Sequence, residues 1–357
     1  MIKIALNTLP LKSGHKDRGI GFYTSNLLEN LKNDPQVKIQ EFTNLSEIKD
    51  ADVVHYPWFD FFFHTLPINK KFKTIVTIHD VIPLLFPEHY PTGLKGKYNF
   101  ILQKLALRGC KQIITDSSVS KIDISKYLNS NDKKISVIHL AANENFKMQS
   151  DTKLIHAKRK YNLPNRFILY VGDANWVKNL PFLIEGFNRL SKLSDFSDVK
   201  LVLINGVFLK NLEHIDHPEL KDLKKVNELI KKYDLTGKIL KPGDLDLDEL
   251  ISFYNLATVY VQPSLYEGFG LPILEAFRCG TPVLSSNRGS LVEVGGNAAL
   301  YFDPAKTDQF TSLLIDIISD KSLQNKISKL GLKRAAKFSW DKVADETKKI
   351  YSKVINE

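Results

Sequence analysis

Two glutamates eight positions apart, Glu267 and Glu275, stand in the segment Pro263-Ser264-Leu265-Tyr266-Glu267-Gly268-Phe269-Gly270-Leu271-Pro272-Ile273-Leu274-Glu275-Ala276-Phe277. Carboxylates accept hydrogen bonds from hydroxyls, and the charge strengthens such bonds. One glutamate on a loop and one in the first turn of a helix would meet different parts of a single ligand, one a sugar and the other a ribose. Between them, Gly268 and Gly270 let backbone approach a ligand and take conformations that other residues avoid. Pro272 suits the first helical turn. Leu271 to Glu275 should then present free N–H groups, an anion site that a diphosphate fits. The plainer reading makes Glu275 a complement to the helix dipole and Glu267 a loop acid.

The elements that must hold these residues follow from the alternation of short apolar runs with helical patterns. In the first half, strands are expected at Ile2–Asn7, Val37–Phe42, Val53–His55, Thr74–Ile78, Gln112–Thr115 and Ile135–His139, with helices such as Gly21–Leu31 and Leu94–Arg108 between them. The second half repeats the scheme with Phe167–Val171, Val199–Ile204, Lys238–Leu240, Thr258–Gln262, Pro282–Ser285 and Ala299–Phe302. Alternating strands and helices make parallel βαβ units, and an open parallel sheet binds ligands outside the carboxyl ends of its strands. The expected fold is therefore α/β, with two Rossmann-like domains: residues 1–150 and 163–339. The polar stretch Lys147–Pro164 is the expected linker, and the amphipathic helix Trp340–Asn356 is expected to rejoin the first domain.

With 357 residues the chain has room for two such cores. No apolar run reaches the eighteen residues a spanning helix needs. The N-terminal Met1-Ile2-Lys3-Ile4-Ala5-Leu6 is too short for a signal peptide and reads as a first strand. Two cysteines without paired spacing, Cys110 and Cys279, fit a reducing cytoplasm rather than a disulfide scaffold or zinc cage.

The Pro263–Phe277 segment resembles the Glu-x7-Glu signature of family 4 glycosyltransferases, group 1 type, of the GT-B fold. Cys279-Gly280-Thr281-Pro282-Val283-Leu284-Ser285-Ser286 and Leu291-Val292-Glu293-Val294-Gly295-Gly296 continue the likeness, which covers most of the chain. It implies two domains facing across a cleft. It implies transfer of a hexose from a nucleoside diphosphate sugar to an acceptor hydroxyl, with retention, in cell-surface polysaccharide or glycolipid synthesis. Glu267 would contact the hexose and Glu275 the ribose, with Gly268, Phe269, Gly270 and Leu271 around the donor. Lys178 would reach the diphosphate as a point charge, although the arginine often paired with it is here Asp173. Gly19 and Gly21, beside Arg18, match the family's glycine loop near the donor phosphate. His79 matches a histidine placed near the sugar's reacting face, with Asp80 orienting the loop. On residues alone, a lone histidine at a strand end, a G-x-G and a surface lysine each have structural explanations. Ser117 and Ser118 read as a helix N-cap, and His139 and Asn143 lie where the family's usual motif is absent. The acidic run Asp244-Leu245-Asp246-Leu247-Asp248 resembles a helix-start cap, so no metal and no other cofactor is expected. The base would be read by backbone around Gly206 and Lys241–Gly243.

Other segments leave alternatives open. The chain carries net charge +10, and nine basic residues face three acids between Lys95 and Lys134. That excess suggests an anionic membrane surface at the inner face, or else only a solvated lysine-rich face. No nucleic-acid motif accompanies it. In Gly93–Arg108 the apolar Leu94, Tyr98, Ile101, Leu102, Leu105 and Ala106 recur at helical spacing among Lys95, Lys97, Lys104 and Arg108. Such a helix lies in a headgroup plane or packs its stripe on the sheet. The aromatic run Tyr56–His64 reads as core, acceptor wall or membrane loop. Against a transferase stand a nucleotide-sugar epimerase or a phosphorylase on the same fold, or a non-catalytic nucleotide-sugar-binding protein. A phosphorylase would need a lysine for pyridoxal phosphate, and no motif offers one.

Overall fold

The computed structural model describes residues 1–14, 16, 19–212 and 220–357, so Arg18 lies outside the described residues. The chain divides into two compact units, residues 1–141 with 338–357, and residues 142–337.

In the first unit, β1 (Ile2–Asn7), β2 (Val37–Phe42), β3 (Val53–Tyr56), β4 (Thr74–Thr77), β5 (Gln112–Thr115) and β6 (Ile135–Val137) form one sheet in the order β2-β1-β3-β4-β5-β6. Every pairing is parallel. Helices cover both faces of such a sheet, and β3, β4 and β5 are accordingly buried along their whole length. The connecting helices are α1 (Gly19–Lys32), α2 (Ile82–Leu85), α3 (Leu94–Arg108) and α4 (Ser118–Leu128). Tyr56, Trp58, Phe59 and Phe61 of the aromatic run are buried, with Phe59 and Phe61 edge to face at 5.3 Å. Most of that run is core.

The second unit has β7 (Phe167–Val171), β8 (Lys200–Ile204), β9 (Ile239–Gly243), β10 (Val259–Gln262), β11 (Val283–Ser286) and β12 (Leu300–Phe302), in the order β12-β11-β10-β7-β8-β9. These pairings are parallel too. Its helices are α5 (Asp151–Lys160), α6 (Leu180–Leu190), α7 (Lys221–Lys232), α8 (Leu247–Leu256), α9 (Leu271–Arg278), α10 (Leu291–Gly295), α11 (Thr307–Ser319) and α12 (Lys321–Ala335). Phe182, Phe302 and Phe310 cluster in the core, and a Cβ on Gly186 would come within 2.4 Å of the Phe310 ring.

The expected linker is corrected by α5. This helix buries only Ala157, so it shows no apolar stripe to read. Gln149 and Lys153 tie the segment to Asn255 and Asp248, both in α8. The second unit therefore begins at residue 142, not 163, and the first segment of the first unit ends at 141, not 150.

The last helix, α13 (Trp340–Asn356), belongs to the first unit although it follows the second in sequence. Ser339 Oγ caps it by accepting the Lys342 N–H at 3.3 Å. Its buried Trp340, Val343, Ile350, Tyr351 and Val354 face α1 and β3. Trp340 meets Phe22 edge to face at 5.7 Å, and Tyr351 OH hydrogen-bonds His55 Nδ1 at 2.7 Å. Burial pushes the His55 imidazole down to about 3, so this ring stays neutral.

In each sheet the order runs outward from one strand pair, β1/β3 in the first and β7/β10 in the second. Loops leaving such a pair diverge and open a crevice at the carboxyl ends.

Candidate functional site

In the second unit, β10 ends at Gln262 and the chain turns through residues 263–270 into α9, at the β7/β10 divergence. Glu267 is only 8% exposed in that loop. Its Oε1 accepts from Gln262 Nε2 (2.6 Å), Ser264 Oγ (2.7 Å) and Lys178 Nζ (2.7 Å), and its Oε2 accepts from Lys178 at 3.0 Å. Lys178 comes from the single turn Trp176–Lys178, after the neighbouring strand β7. A buried carboxylate lacking such partners would be costly. The sequence placed Lys178 on a diphosphate; here two ammonium contacts go to Glu267, and an ammonium has three N–H groups. The same loop leaves Asn175 Oδ1 buried without a hydrogen-bond partner among the described residues.

Gly172 sits at φ +148, and Tyr170 OH donates to the Asp173 carbonyl at 2.6 Å. The Asp173 carboxylate itself is exposed and accepts the Ala174 N–H at 2.7 Å. It brings negative charge where the resemblance implied an arginine.

Gly270 is required by geometry. Its φ is +104, and a Cβ would lie 2.8 Å from Leu291 Cδ2. Gly268 has no positive φ, so the special conformation expected of both glycines belongs to Gly270. The expected run of free amides from Leu271 to Glu275 is also narrower. Pro272 has no N–H and the Ile273 N–H closes on the Gly270 carbonyl at 3.1 Å, which leaves Leu271 as the outward donor among Leu271, Pro272 and Ile273. Phe269 is buried, and Ser290 Oγ donates to its carbonyl (2.8 Å) and to that of Glu267 (2.9 Å). Gly289, at φ +57, lets this neighbouring loop approach, since a Cβ would come within 2.8 Å of the Glu267 backbone. Glu275 is half-buried on α9, and its Oε2 accepts from Tyr254 OH at 2.8 Å. Burial pushes its carboxyl up to about 7, against the pull of the Tyr254 hydrogen bond.

In the first unit, three neighbouring strands deliver a second cluster. His79 follows β4, with Nδ1 on Asp116 Oδ2 after β5 (2.7 Å) and Nε2 on the Pro57 carbonyl after β3 (3.1 Å). A carbonyl and a carboxylate only accept, so both ring nitrogens can donate here when the ring is protonated, the form this arrangement favours. Burial alone would lower its pKa, but the Asp116 carboxylate outweighs burial and raises it. Tyr23 stands edge to face with the ring at 4.9 Å. Thr115 Oγ1, Asp116 Oδ1 and Trp340 Nε1 are buried without partners among the described residues. Such orphaned atoms call for a ligand, a water or strain.

Gly19 and Gly21 lie in the first turn of α1 itself rather than in a loop before a helix at Gly21. Ser117 caps α4 by accepting the Ser120 N–H, Asp80 accepts the Ile82 N–H, and Asn143 accepts the Asn145 N–H. His139 packs on Phe338. Asp246 caps α8, and Asp244 accepts the Gly206 N–H at 2.7 Å. Among the described residues no three His, Cys, Asp or Glu gather as a metal site. No described helix is long and apolar enough to cross a membrane.

The sequence reading missed Gln262, Ser264, Tyr254, Ser290 and Asp116 as partners of the site. Gln262 and Ser264 were visible as polar residues at the end of an apolar strand and just past it, two residues apart. Tyr254 and Ser290 come from other elements and carry no local signal.

Residues 151–334 match the sequence profile of the family described as Glycosyl transferases group 1. The chain is 31% identical over 280 residues to the serotype-specific mannosyltransferase WbdA of Escherichia coli, covering 77% of this chain and 33% of that protein. It thus spans about a third of that relative's length. It is 28% identical to the O-antigen chain mannosyltransferase B of Escherichia coli, over 78% of this chain and 70% of the relative. Among solved structures, HepE of Anabaena in complex with UDP and glucose superposes with a TM-score of 0.76 at 14% identity, covering 99% of this chain and 100% of that one. That likeness shows a shared fold, the two-domain parallel-sheet class expected from sequence.

Proposed function

Because the chain belongs to the group 1 glycosyl transferases, we propose that it moves a hexose from a nucleoside diphosphate sugar to an acceptor hydroxyl, with retention at the anomeric carbon, as in family 4. The observation that carries this reading is the Glu267–Lys178 clamp beside the Gly270 opening of α9. Glu267, fixed by Gln262, Ser264 and Lys178, takes the sugar hydroxyls. The remaining Lys178 N–H and the amides of Gly268, Gly270 and Leu271 meet the departing diphosphate, with Phe269 shaping the loop. Glu275 takes the ribose. His79 is a fixed positive charge on the transferred sugar, and Gly19 and Gly21 offer amides to the donor. Catalysis then rests on positioning and on stabilising the leaving group. No metal or cofactor is needed, so turnover should survive a chelator.

The mannosyltransferase names of the relatives, and the UDP and glucose in the HepE complex, support a nucleotide-sugar donor and a role in polysaccharide or glycolipid synthesis. We place the acceptor, a sugar or lipid-linked sugar, at an anionic membrane face on the cytoplasmic side.

A thermal-shift panel of nucleoside diphosphates tests the reading, since a ligand raises stability as RT ln(1 + [L]/Kd). One base should stand out, and a flat panel would sink the proposal. The exposed Asp173 in place of a cation favours one second reading, a non-catalytic binder. Binding without turnover over a broad acceptor panel would select it, and conversion of the donor sugar without acceptor would select an epimerase.

A further inference from the structure

Helix α3 turns apolar residues both inward and outward. On its protein-facing side Ala106 and Leu107 join the core beside two buried amides: Asn99 Nδ2 donates to the Phe62 carbonyl (2.8 Å), and Gln103 Oε1 accepts the N–H groups of Thr65 (3.3 Å) and Leu66 (3.1 Å). These amides clamp the helix to residues 62–66 and leave a second set of apolar residues pointing away from the core. Leu94 is 86% exposed, Tyr98 61%, Ile101 59% and Leu105 42%. At 3.6 residues per turn the four fall within about 60° of one another, so they form one stripe. By the same geometry Lys97, Lys104 and Arg108 line one edge and Lys95 lies beyond the other, and the helix contains no Asp or Glu. A cavity of about 390 Å³ adjoins the basic edge, lined by Lys104, Arg108, Lys134 and residues 128–131 over an apolar floor that includes Leu107 and Ile113, so two edge cations line it. Cys110 in its wall adds no charge, because burial pushes the thiol up to about 11.

We propose that α3 docks this unit on an anionic phospholipid bilayer. Leu94, Tyr98, Ile101 and Leu105 enter the boundary between headgroups and acyl chains, the edge cations meet lipid phosphates, and one headgroup phosphate enters the cavity among Lys104, Arg108 and Lys134. An apolar stripe with a basic rim is the pattern of an interfacial helix. A second copy of the chain would bring the same uncompensated cations against these. The inference names the surface behind the membrane-face acceptor proposed above, and rests on that reading for its purpose but not for its test.

The test is co-sedimentation of the full chain with vesicles of phosphatidylcholine alone or mixed with phosphatidylglycerol, at low and high salt, without donor. Binding should require phosphatidylglycerol and fade with salt. It should weaken about tenfold in the double variant Ile101→Ser, Leu105→Ser, and about fivefold for each of Lys97→Gln, Lys104→Gln and Lys134→Gln. All these residues lie outside the core, so melting temperatures should be unchanged, and nucleotide-induced stabilisation retained by the serine variant would separate this inference from the transferase reading. No sedimentation with anionic vesicles at low salt would overturn it. So would full binding by the serine variant, or a lipid-free dimer that the serine substitutions abolish, which would assign the stripe to self-association.

Discussion

Burial lifts the Glu275 carboxyl to about 7, against an ordinary value of 4.5, and this sets the pH response expected of the site. Below 4.5 both folded and unfolded chains hold the proton; between 4.5 and 7 only the folded chain does, so stability falls through that window and levels above it. Glu275→Gln, which cannot ionise, should match the parent near pH 4 and exceed it at pH 8 by up to roughly 3 kcal/mol in urea melts. Nucleotide binding should run the opposite way. Ribose hydroxyls favour the ionised acceptor, so affinity should rise with pH through about 7, and Glu275→Ala should lose about 1.5–3 kcal/mol by titration calorimetry. Glu267→Gln should cut turnover more than nucleotide affinity, because its partners already fix it toward the sugar. Equal affinity losses in the two variants would refute this division of roles. At His79 the raised pKa means a stabilising contribution fully present below pH 6.5 and lost as pH climbs through the folded value. Asp116→Asn should lower the ring's pKa in an NMR titration and cost about 1.5–3 kcal/mol of stability below pH 6.5. An unmoved imidazole resonance would show that Asp116 does not hold the proton.

Among the elements, α9 and α13 make the sharpest demands. Gly270→Ala places a side chain at φ +104 against Leu291, so it should cost about 1–3 kcal/mol and abolish the nucleotide-induced thermal shift. Truncation after Ser339 removes Trp340 and Tyr351 from the core of the first unit and strips His55 of a hydrogen bond. The melting transition of that unit should collapse while the other remains, and an unshifted first transition would mean α13 contributes nothing there. These elements also show what the sequence discloses. All twelve strands were legible, most with ends moved by a residue or two, because parallel strands covered on both faces are short runs of Val, Ile and Leu. Helix α5 was not legible, since a helix burying one alanine carries no periodic stripe. Helix α3 was legible as a helix but not in its orientation. The spacing of Leu94, Tyr98, Ile101 and Leu105 is the same whether the stripe faces sheet or water, and the deciding contacts of Asn99 and Gln103 lie 37 residues or so away in the chain. At the candidate site Glu267, Glu275, Lys178 and Gly270 could be read from one segment each. Tyr254, Ser290 and Asp116 could not, because tertiary contacts alone bring them there.

For the molecule as a whole, two units with separate sheets and cores should give two calorimetric transitions, and the donor clamp lies in only one of them. A nucleoside diphosphate at a hundred times its Kd should raise the stability of the unit formed by residues 142–337 by about 2.7 kcal/mol. A ligand-induced shift of the other transition alone would place nucleotide recognition in the wrong unit. The return of α13 to the first unit also bears on biosynthesis. A ribosome delivers the first sheet early, yet the residues that seal it, Trp340 and Tyr351, are polymerised only after all of the second unit. At about 5–20 residues per second, residues 142–337 impose a wait of roughly 10–40 s. The nascent first sheet spends that interval with the surface under α13 uncovered, so the half of the chain that is made first is the half that finishes folding last.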